Sequence, residues 1–300
     1  MRLTKHHGLG NDFLVLLDAG DVRPPTPDEV RALCDRRRGI GADGLIRATR
    51  PGESDAPGVV AIMQLTNADG SPAEMSGNGI RCLAQALVMA GWAPGRRLPI
   101  GTAAGLRTVT VHDWTGTTLE SSVEMGVPEL TGEAPEWAGG PIRRALRVDI
   151  GNPHLVLELA PGHEAAIAAD TDDVRLVELG ERVNAKLPDG ANVHLLAPEA
   201  TLDGTAAAAS AGDRAGGAPE RAGGVAIRTY ERGVGPTLAC GTGACASAAA
   251  ARAWGLAGDR VRVRQPGGVA EVALDGPQAV LRGPATYVAT IDVPDPGAAG

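Results

Sequence analysis

Twice in this chain a small nucleophilic side chain stands directly before Gly-x-Gly, and each time an apolar helical pattern follows. The first copy reads Met75-Ser76-Gly77-Asn78-Gly79-Ile80-Arg81-Cys82, the second Ala239-Cys240-Gly241-Thr242-Gly243-Ala244-Cys245. One device used twice points to an internal duplication with two lobes facing each other. Around the copies, short apolar runs broken by Gly, Pro, Asn and Asp read as strands. They fall at 13–17, 59–65, 106–111, 146–150, 155–159, 192–196, 226–230, 261–263, 269–274 and 287–293. Helical patterns are fewer: Pro27 to Arg37 with Thr26 as N-cap, Asn78 to Ala90, Leu176 to Asn184, and Gly243 to Trp254. Strands do not alternate strictly with helices, so the class is α+β and not doubly wound α/β.

A length of 300 residues with 43% hydrophobic side chains is enough for two ordinary cores. Residues 205–224 are small, polar and of low complexity, which reads as a flexible insertion at a hairpin tip. The last six residues are expected to fray. A net charge of −8 argues against a nucleic-acid partner, which would require a concentrated basic surface. Arg36-Arg37-Arg38 is the nearest approach to one, and it reads as a solvated helix end complementing the dipole. No run reaches the ~20 apolar residues of a membrane span, and the polar opening does not resemble a secretory signal. The expected setting is cytoplasmic, where Cys34, Cys82, Cys240 and Cys245 stay reduced. Lysine occurs only at positions 5 and 186, neither in a phosphate-cradling context. Racemisation through a pyridoxal Schiff base is therefore disfavoured, and no cofactor is expected.

The glycine loops carry the chemistry. A Gly-x-Gly turn feeding a helix exposes unpaired backbone N–H groups at the positive end of the helix dipole, which suits a carboxylate. Such groups also stabilise the charge that builds on a carboxylate when the adjacent α-proton leaves. The same setting is expected to lower the pKa of Cys240 from ~8.5 towards neutrality. Neither loop is followed by the lysine of a phosphate loop. Cys240 and Cys245 lack two further ligands at zinc spacing, and adjacent His6-His7 make a poor metal pair, so no metal is expected. Cys34, Cys82 and Cys245 sit within helical patterns and are expected to be buried.

Five further blocks complete a resemblance. Lys5-His6-His7-Gly8-Leu9-Gly10-Asn11-Asp12-Phe13, Asn67-Ala68-Asp69-Gly70-Ser71, Gly151-Asn152-Pro153-His154, Ala191-Asn192-Val193 and Glu231-Arg232-Gly233-Val234-Gly235 resemble diaminopimelate epimerases, in that family's order, from residue 1 to about 290. The resemblance implies two pseudo-symmetric lobes, each a strand-rich mixed sheet or barrel around a central helix, with the active site in the cleft between them. The expected division is 1–119 with 283–300, carrying Ser76, and 120–282, carrying Cys240. It implies interconversion of LL- and meso-2,6-diaminopimelate by two-base proton transfer, a step in lysine and peptidoglycan synthesis. Cys240 matches one of the two acid/base positions and Ser76 the other. By the same match the N–H groups of Gly77, Asn78, Gly241 and Thr242 hold the reacting carboxylate, and Asn11 lines that end. Asn67, Asn152, Asn192 and Arg232 grip the distal amino-acid end, where arginine offers a bidentate fork. His154 and Glu231 tune the acid/base groups. The partner is a small amino-acid substrate; a homodimer is left open.

The match breaks at Ser76, where the family usually has cysteine. A hydroxyl lies nearer water's ~15.7 than a thiol's ~8.5, so ionising it costs roughly 8 kcal/mol more at ~1.36 kcal/mol per pKa unit. Three readings remain open. Ser76 shuttles the proton with help from the helix terminus and a base such as His154; Cys82 takes over; or two-base epimerisation is lost, leaving exchange on one face or binding alone. At Gly44 many relatives carry glutamine, so one substrate contact is missing. A racemase of another amino acid on the same scaffold is the alternative within enzymes.

Overall fold

The computed structural model describes residues 1–53, 55–93, 95–167, 173–202 and 223–294. The expected insertion therefore lies outside the described residues except for Gly223 and Gly224, which already belong to a strand. The last six residues, expected to fray, also lie outside them. The chain forms two compact units, residues 1–124 with 282–300, and residues 125–281.

In unit 1 the order is β1 (Arg2–Gly8), β2 (Asn11–Asp18), α1 (Pro27–Cys34), β3 (Gly44–Thr49), β4 (Ala61–Asn67), β5 (Pro72–Ala73), α2 (Gly77–Met89), β6 (Arg97–Thr102), β7 (Gly105–Thr115) and β8 (Thr118–Gly126). Strand β2 runs antiparallel to β1 and parallel to β3. Strand β4 is antiparallel to β3 and β5 and parallel to β6, and β7 is antiparallel to β6 and β8. The last strand of the chain pairs with both β1 and β8, which closes an eight-stranded barrel. Residues 77–87 of α2 are all buried. A helix buried on every side lies inside its sheet, and the polar members of this one, such as Arg81 and Gln85, are hydrogen-bonded there.

Unit 2 contains β9 (Glu129–Glu133), β10 (Ile142–Asp149), β11 (Pro153–Leu159), α3 (Asp173–Lys186), β12 (Asn192–Pro198), α4 (Glu199–Leu202), β13 (Gly223–Glu231), β14 (Gly235–Thr237), α5 (Gly241–Ala253), β15 (Arg260–Gln265), β16 (Gly268–Ala273) and the start of β17 (Ala279–Asp292). Its pairings repeat those of unit 1 strand for strand: β10–β11 antiparallel, β11–β12 parallel, β12–β13 and β13–β14 antiparallel, β13–β15 parallel, β15–β16 antiparallel. Helix α5 takes the place of α2; its alanines let six strands of the unit pack around it. The outer face of the sheet buries Leu155, Leu157, Val193 and Leu195 beside Leu176 and Val183 of α3.

The two central helices also end alike. Ala90 and Trp254 are the C-caps, followed by Gly91 (φ 67°) and Gly255 (φ 70°). The next N–H groups, of Trp92 and Leu256, reach back to the carbonyls of Leu87 and Ala251. This left-handed stop favours glycine because it has no Cβ.

Helix α1 begins as expected, with a capping box between Thr26 and Glu29. It stops at Cys34, however, so the three arginines lie beyond its end. Arg36 is not a solvated terminus: it pairs with Asp12 at 2.6 Å and Asp43 at 2.8 Å.

Candidate active site

The half-site of unit 1 is built at the ends of β2, β3 and β4 and the start of α2. Ser76 is the N-cap of α2, and its Oγ accepts the Gly79 N–H at 3.1 Å. The buried Arg81 guanidinium, one turn on, donates to Gly77 O at 3.1 Å and Asn78 Oδ1 at 2.6 Å. Since Oδ1 of Asn78 accepts from Arg81, its Nδ2 must donate onward, to Asn11 Oδ1 at 3.2 Å. Nδ2 of Asn11 then donates to the Asp43 carboxylate at 2.7 Å. A cation at one end and an anion at the other thus fix both amides. Asn67 closes β4 and donates to Ser71 Oγ at 3.1 Å.

In unit 2, Cys240 is the N-cap of α5. Its Sγ accepts the Gly243 N–H at 3.3 Å and lies 3.5 Å from Thr242 Oγ1, while its own N–H donates to Gln265 Oε1 at 2.8 Å. The sulfur's setting departs from expectation in one respect. Cys240 is only 5% exposed, and burial followed by the Glu231 charge pushes its pKa up, against the lowering pull of Thr242 and Gly243. Without substrate the group is a thiol and not a thiolate; desolvation outweighs the helix terminus.

His154 and His194 lie side by side with Nδ1 of the first 2.8 Å from Nε2 of the second. The other nitrogens meet Asn152 Oδ1 at 2.8 Å and Thr229 Oγ1 at 2.9 Å. Burial holds His154 well below the usual imidazole range, helped by His194 and Arg232, and takes His194 down to about 3. Both rings are therefore neutral, and both nitrogens of His154 are engaged, leaving no lone pair to relieve Ser76 of a proton. Asn192 Oδ1 accepts the backbone N–H of Arg232 at 2.9 Å, and the Arg232 guanidinium donates to Asp189 O. Glu231 Oε1 accepts from Thr237 Oγ1 at 2.7 Å.

Register shows which residues of the two half-sites are equivalent. Phe13 faces Gly44 as His154 faces Asn192, and Gly44 faces Asn67 as Asn192 is placed to face Glu231 by the neighbouring Val193–Tyr230 pair. Asn11 therefore matches Asn152, Gly44 matches Asn192, Asn67 matches Glu231, and Ser76 matches Cys240. At Gly44 a Cβ would stand 2.8 Å from Thr66 O, so this strand end is built around glycine and not merely short of a side chain.

Cys34, Cys82 and Cys245 are buried, as expected. Cys82 lies inside α2, fully buried and pushed up to about 12, which sets aside the reading that it replaces Ser76. Four contributors escaped sequence reasoning: Arg81, Asp43, Gln265 and His194. Only His194 had a usable signal, because it lies two residues from Asn192 and so shares its face of the strand. Among the described residues no three His, Cys, Asp or Glu side chains form a metal-sized cluster, and no helix is long and apolar enough to cross a membrane.

A model of the diaminopimelate epimerase family matches residues 3–131 and 147–288. The chain belongs to the diaminopimelate epimerase family. A diaminopimelate epimerase from Mycolicibacterium smegmatis is 38% identical over 96% of this chain and 95% of its own length. One from Rhodococcus opacus is 37% identical over 98% of each. Among solved structures, a probable proline racemase from Agrobacterium radiobacter superposes with a TM-score of 0.64 at 20% identity, covering 99% of this chain and 94% of that one. A predicted epimerase from Pseudomonas aeruginosa gives 0.67 at 16%, covering 97% and 98%. The latter two establish the fold, two pseudo-symmetric strand-rich lobes each around a central helix, as in other members of the diaminopimelate epimerase family's fold.

Proposed function

We propose that this chain is a diaminopimelate epimerase in which Ser76 and Cys240 act on opposite faces of the α-carbon, one removing its proton and the other returning one, without metal or coenzyme. The observation that carries this reading is the equivalence of those two residues at the N-caps of matching helices. The substrate's reacting carboxylate takes the N–H groups of Gly77, Asn78, Gly241 and Thr242, where the helix dipole and backbone donors favour the charge growing as the α-carbon is deprotonated. One of the two caps removes the proton and the other returns one to the opposite face. Cys240 begins as a thiol and must lose its proton to act as the base, which Thr242 and the Gly243 N–H ease. With both caps protonated at rest, one proton must first pass to solvent, and the thiol is the easier group to ionise. The Cys240 thiolate then takes the α-proton and the Ser76 hydroxyl gives one to the opposite face, leaving an alkoxide that the Gly79 N–H stabilises and solvent reprotonates. Neutral His154 tunes by hydrogen bonding and not as a base.

Asn11 lines the reacting end. Asn67, Asn152, Asn192 and Arg232 hold the distal amino-acid head, a grouping that makes sense only for a substrate with two such heads. Glu231, whose charge acts on Cys240, binds at the reacting end and tunes the acid/base group. The independence from pyridoxal phosphate is supported by the lysines: Lys5 is bound to Asp12 and the Gly41 carbonyl, and Lys186 lies over the Trp137 ring. The reaction would serve lysine and peptidoglycan synthesis in the cytoplasm, where free thiols persist. A homodimer is part of the reading and is checked by light scattering.

Incubation with LL-diaminopimelate in deuterium oxide tests the reading. Deuterium entering at one α-carbon together with inversion to the meso isomer is expected. Label without inversion would mean a one-base site, and no label would leave a binding protein.

A further inference from the structure

The hydrogen-bonded run Asn152, His154, His194, Thr229 has an apolar counterpart in the other unit. Val156 faces His194 and His194 faces Thr229 across β11, β12 and β13. In unit 1, Val15 faces Ile46 and Ile46 faces Leu65 across β2, β3 and β4. Phe13, Ile46 and Leu65 therefore fill the places of His154, His194 and Thr229. The match extends to the helix above. A Cβ on Gly79 would meet Ile46 Cδ1 at 3.2 Å, and one on Gly243 would meet His194 Cε1 at 2.3 Å. The fold fills this layer with Phe, Ile and Leu on one side. Burying three polar side chains on the other gains nothing in packing and is tolerated only because each is bonded.

What the polar version adds is direction. Asn152 presents Oδ1 to His154 Nε2, so that nitrogen carries the hydrogen. Nδ1 of the neutral ring then accepts, from His194 Nε2–H. His194 Nδ1 accepts in turn, from the Thr229 hydroxyl. Every donor points towards Asn152, whose Nδ2 is left out of the run.

We propose that His194 is a positioning residue that, with Thr229, locks His154 in its Nε2–H form and so holds the Asn152 amide with its N–H donors turned to a substrate carboxylate. The substrate half of this inference rests on the proposed epimerase activity; the orientation of the run does not.

Two measurements test it. In long-range 15N spectra of the wild-type protein, both rings should show the Nε2–H pattern; an Nδ1–H pattern on either ring overturns the proposal. His194→Ile copies the residue used at this place in unit 1, so the variant should fold. Its KM for diaminopimelate should rise about tenfold, the scale of one hydrogen bond, with kcat nearly unchanged. His194→Gln, whose amide can donate to His154 and accept from Thr229, should restore KM. An unfolded Ile variant, an unchanged KM, or no recovery with Gln each contradicts the proposal. If the wild-type protein shows no turnover, the epimerase reading fails by itself, and the ring patterns with the calorimetric Kd of diaminopimelate in place of KM decide this one.

Discussion

Ser76 and Cys240 occupy the same structural position in their own units: each is the N-cap of a 13-residue helix, with φ/ψ of −135°/124° and −126°/118°, and each accepts the N–H three residues on. The backbone treats hydroxyl and thiol alike. Their chemistry differs, and that difference separates the first two predictions.

Cys240→Ala should lower turnover and α-proton exchange by at least about a thousandfold, the usual scale of a positioned acid/base group. Steady-state kinetics together with deuterium exchange check this, and exchange at the wild-type rate would remove the sulfur from the mechanism.

Ser76→Cys should keep or raise turnover, because a thiol ionises far more readily than a hydroxyl. Ser76→Ala should lose epimerisation and about 1 kcal/mol of stability, the cost of an N-cap. The two losses are separable by comparing urea midpoints with kcat. If Ser76→Cys is inactive, the site is built around the hydroxyl.

Adding a methyl group at the second loop glycine should hurt the units unequally. Gly243→Ala drives its Cβ towards His194 Cε1 at 2.3 Å, whereas Gly79→Ala meets Ser76 Cβ at 3.1 Å and the mobile tip of Ile46 at 3.2 Å. Overpacking of this kind costs about 1–3 kcal/mol, and chemical denaturation should place Gly243→Ala at the upper end and Gly79→Ala below it.

The buried imidazoles make stability depend on pH. His194 titrates at about 3 in the folded protein and at the ordinary imidazole value of about 6.5 when unfolded, and His154 is also lowered. Their contribution is complete above pH 6.5. Below that, the unfolded chain binds protons that the folded one refuses, so stability falls by about 1.4 kcal/mol per pH unit for each ring. For His194 this continues down to about pH 3. Urea denaturation at pH 7.5 and 5.5 should therefore show a smaller loss for His194→Ile than for the wild type; equal losses would contradict the assignment.

Much of this was legible in the chain. The two loops gave the duplication because a Gly-x-Gly turn before an apolar run has one physical meaning at a helix start, and both helices begin there. Strands such as β11 and β13 announced themselves as β-branched and leucine-rich runs. Strands β1 and β8 did not: Arg2–Gly8 carries Lys5, His6 and His7, and Thr118–Gly126 alternates polar residues with only a few apolar ones. Their places are set by pairing with β17, a contact far away in sequence. The state of Cys240 was misread for a similar reason, since the loop shows the dipole but not the depth of burial. His194 could be placed on the face of Asn192 from its spacing, but its link to His154 and Thr229 could not, because the run crosses three strands.

The most direct test of the central claim is a crystal structure with a diaminopimelate analogue bound, read for the distances from the α-carbon to Ser76 Oγ and Cys240 Sγ. Both should be about 3–3.5 Å, the range of reacting atoms, on opposite faces of the carbon. Either atom lying well beyond contact, or both on one face, would contradict two-base proton transfer at the α-carbon.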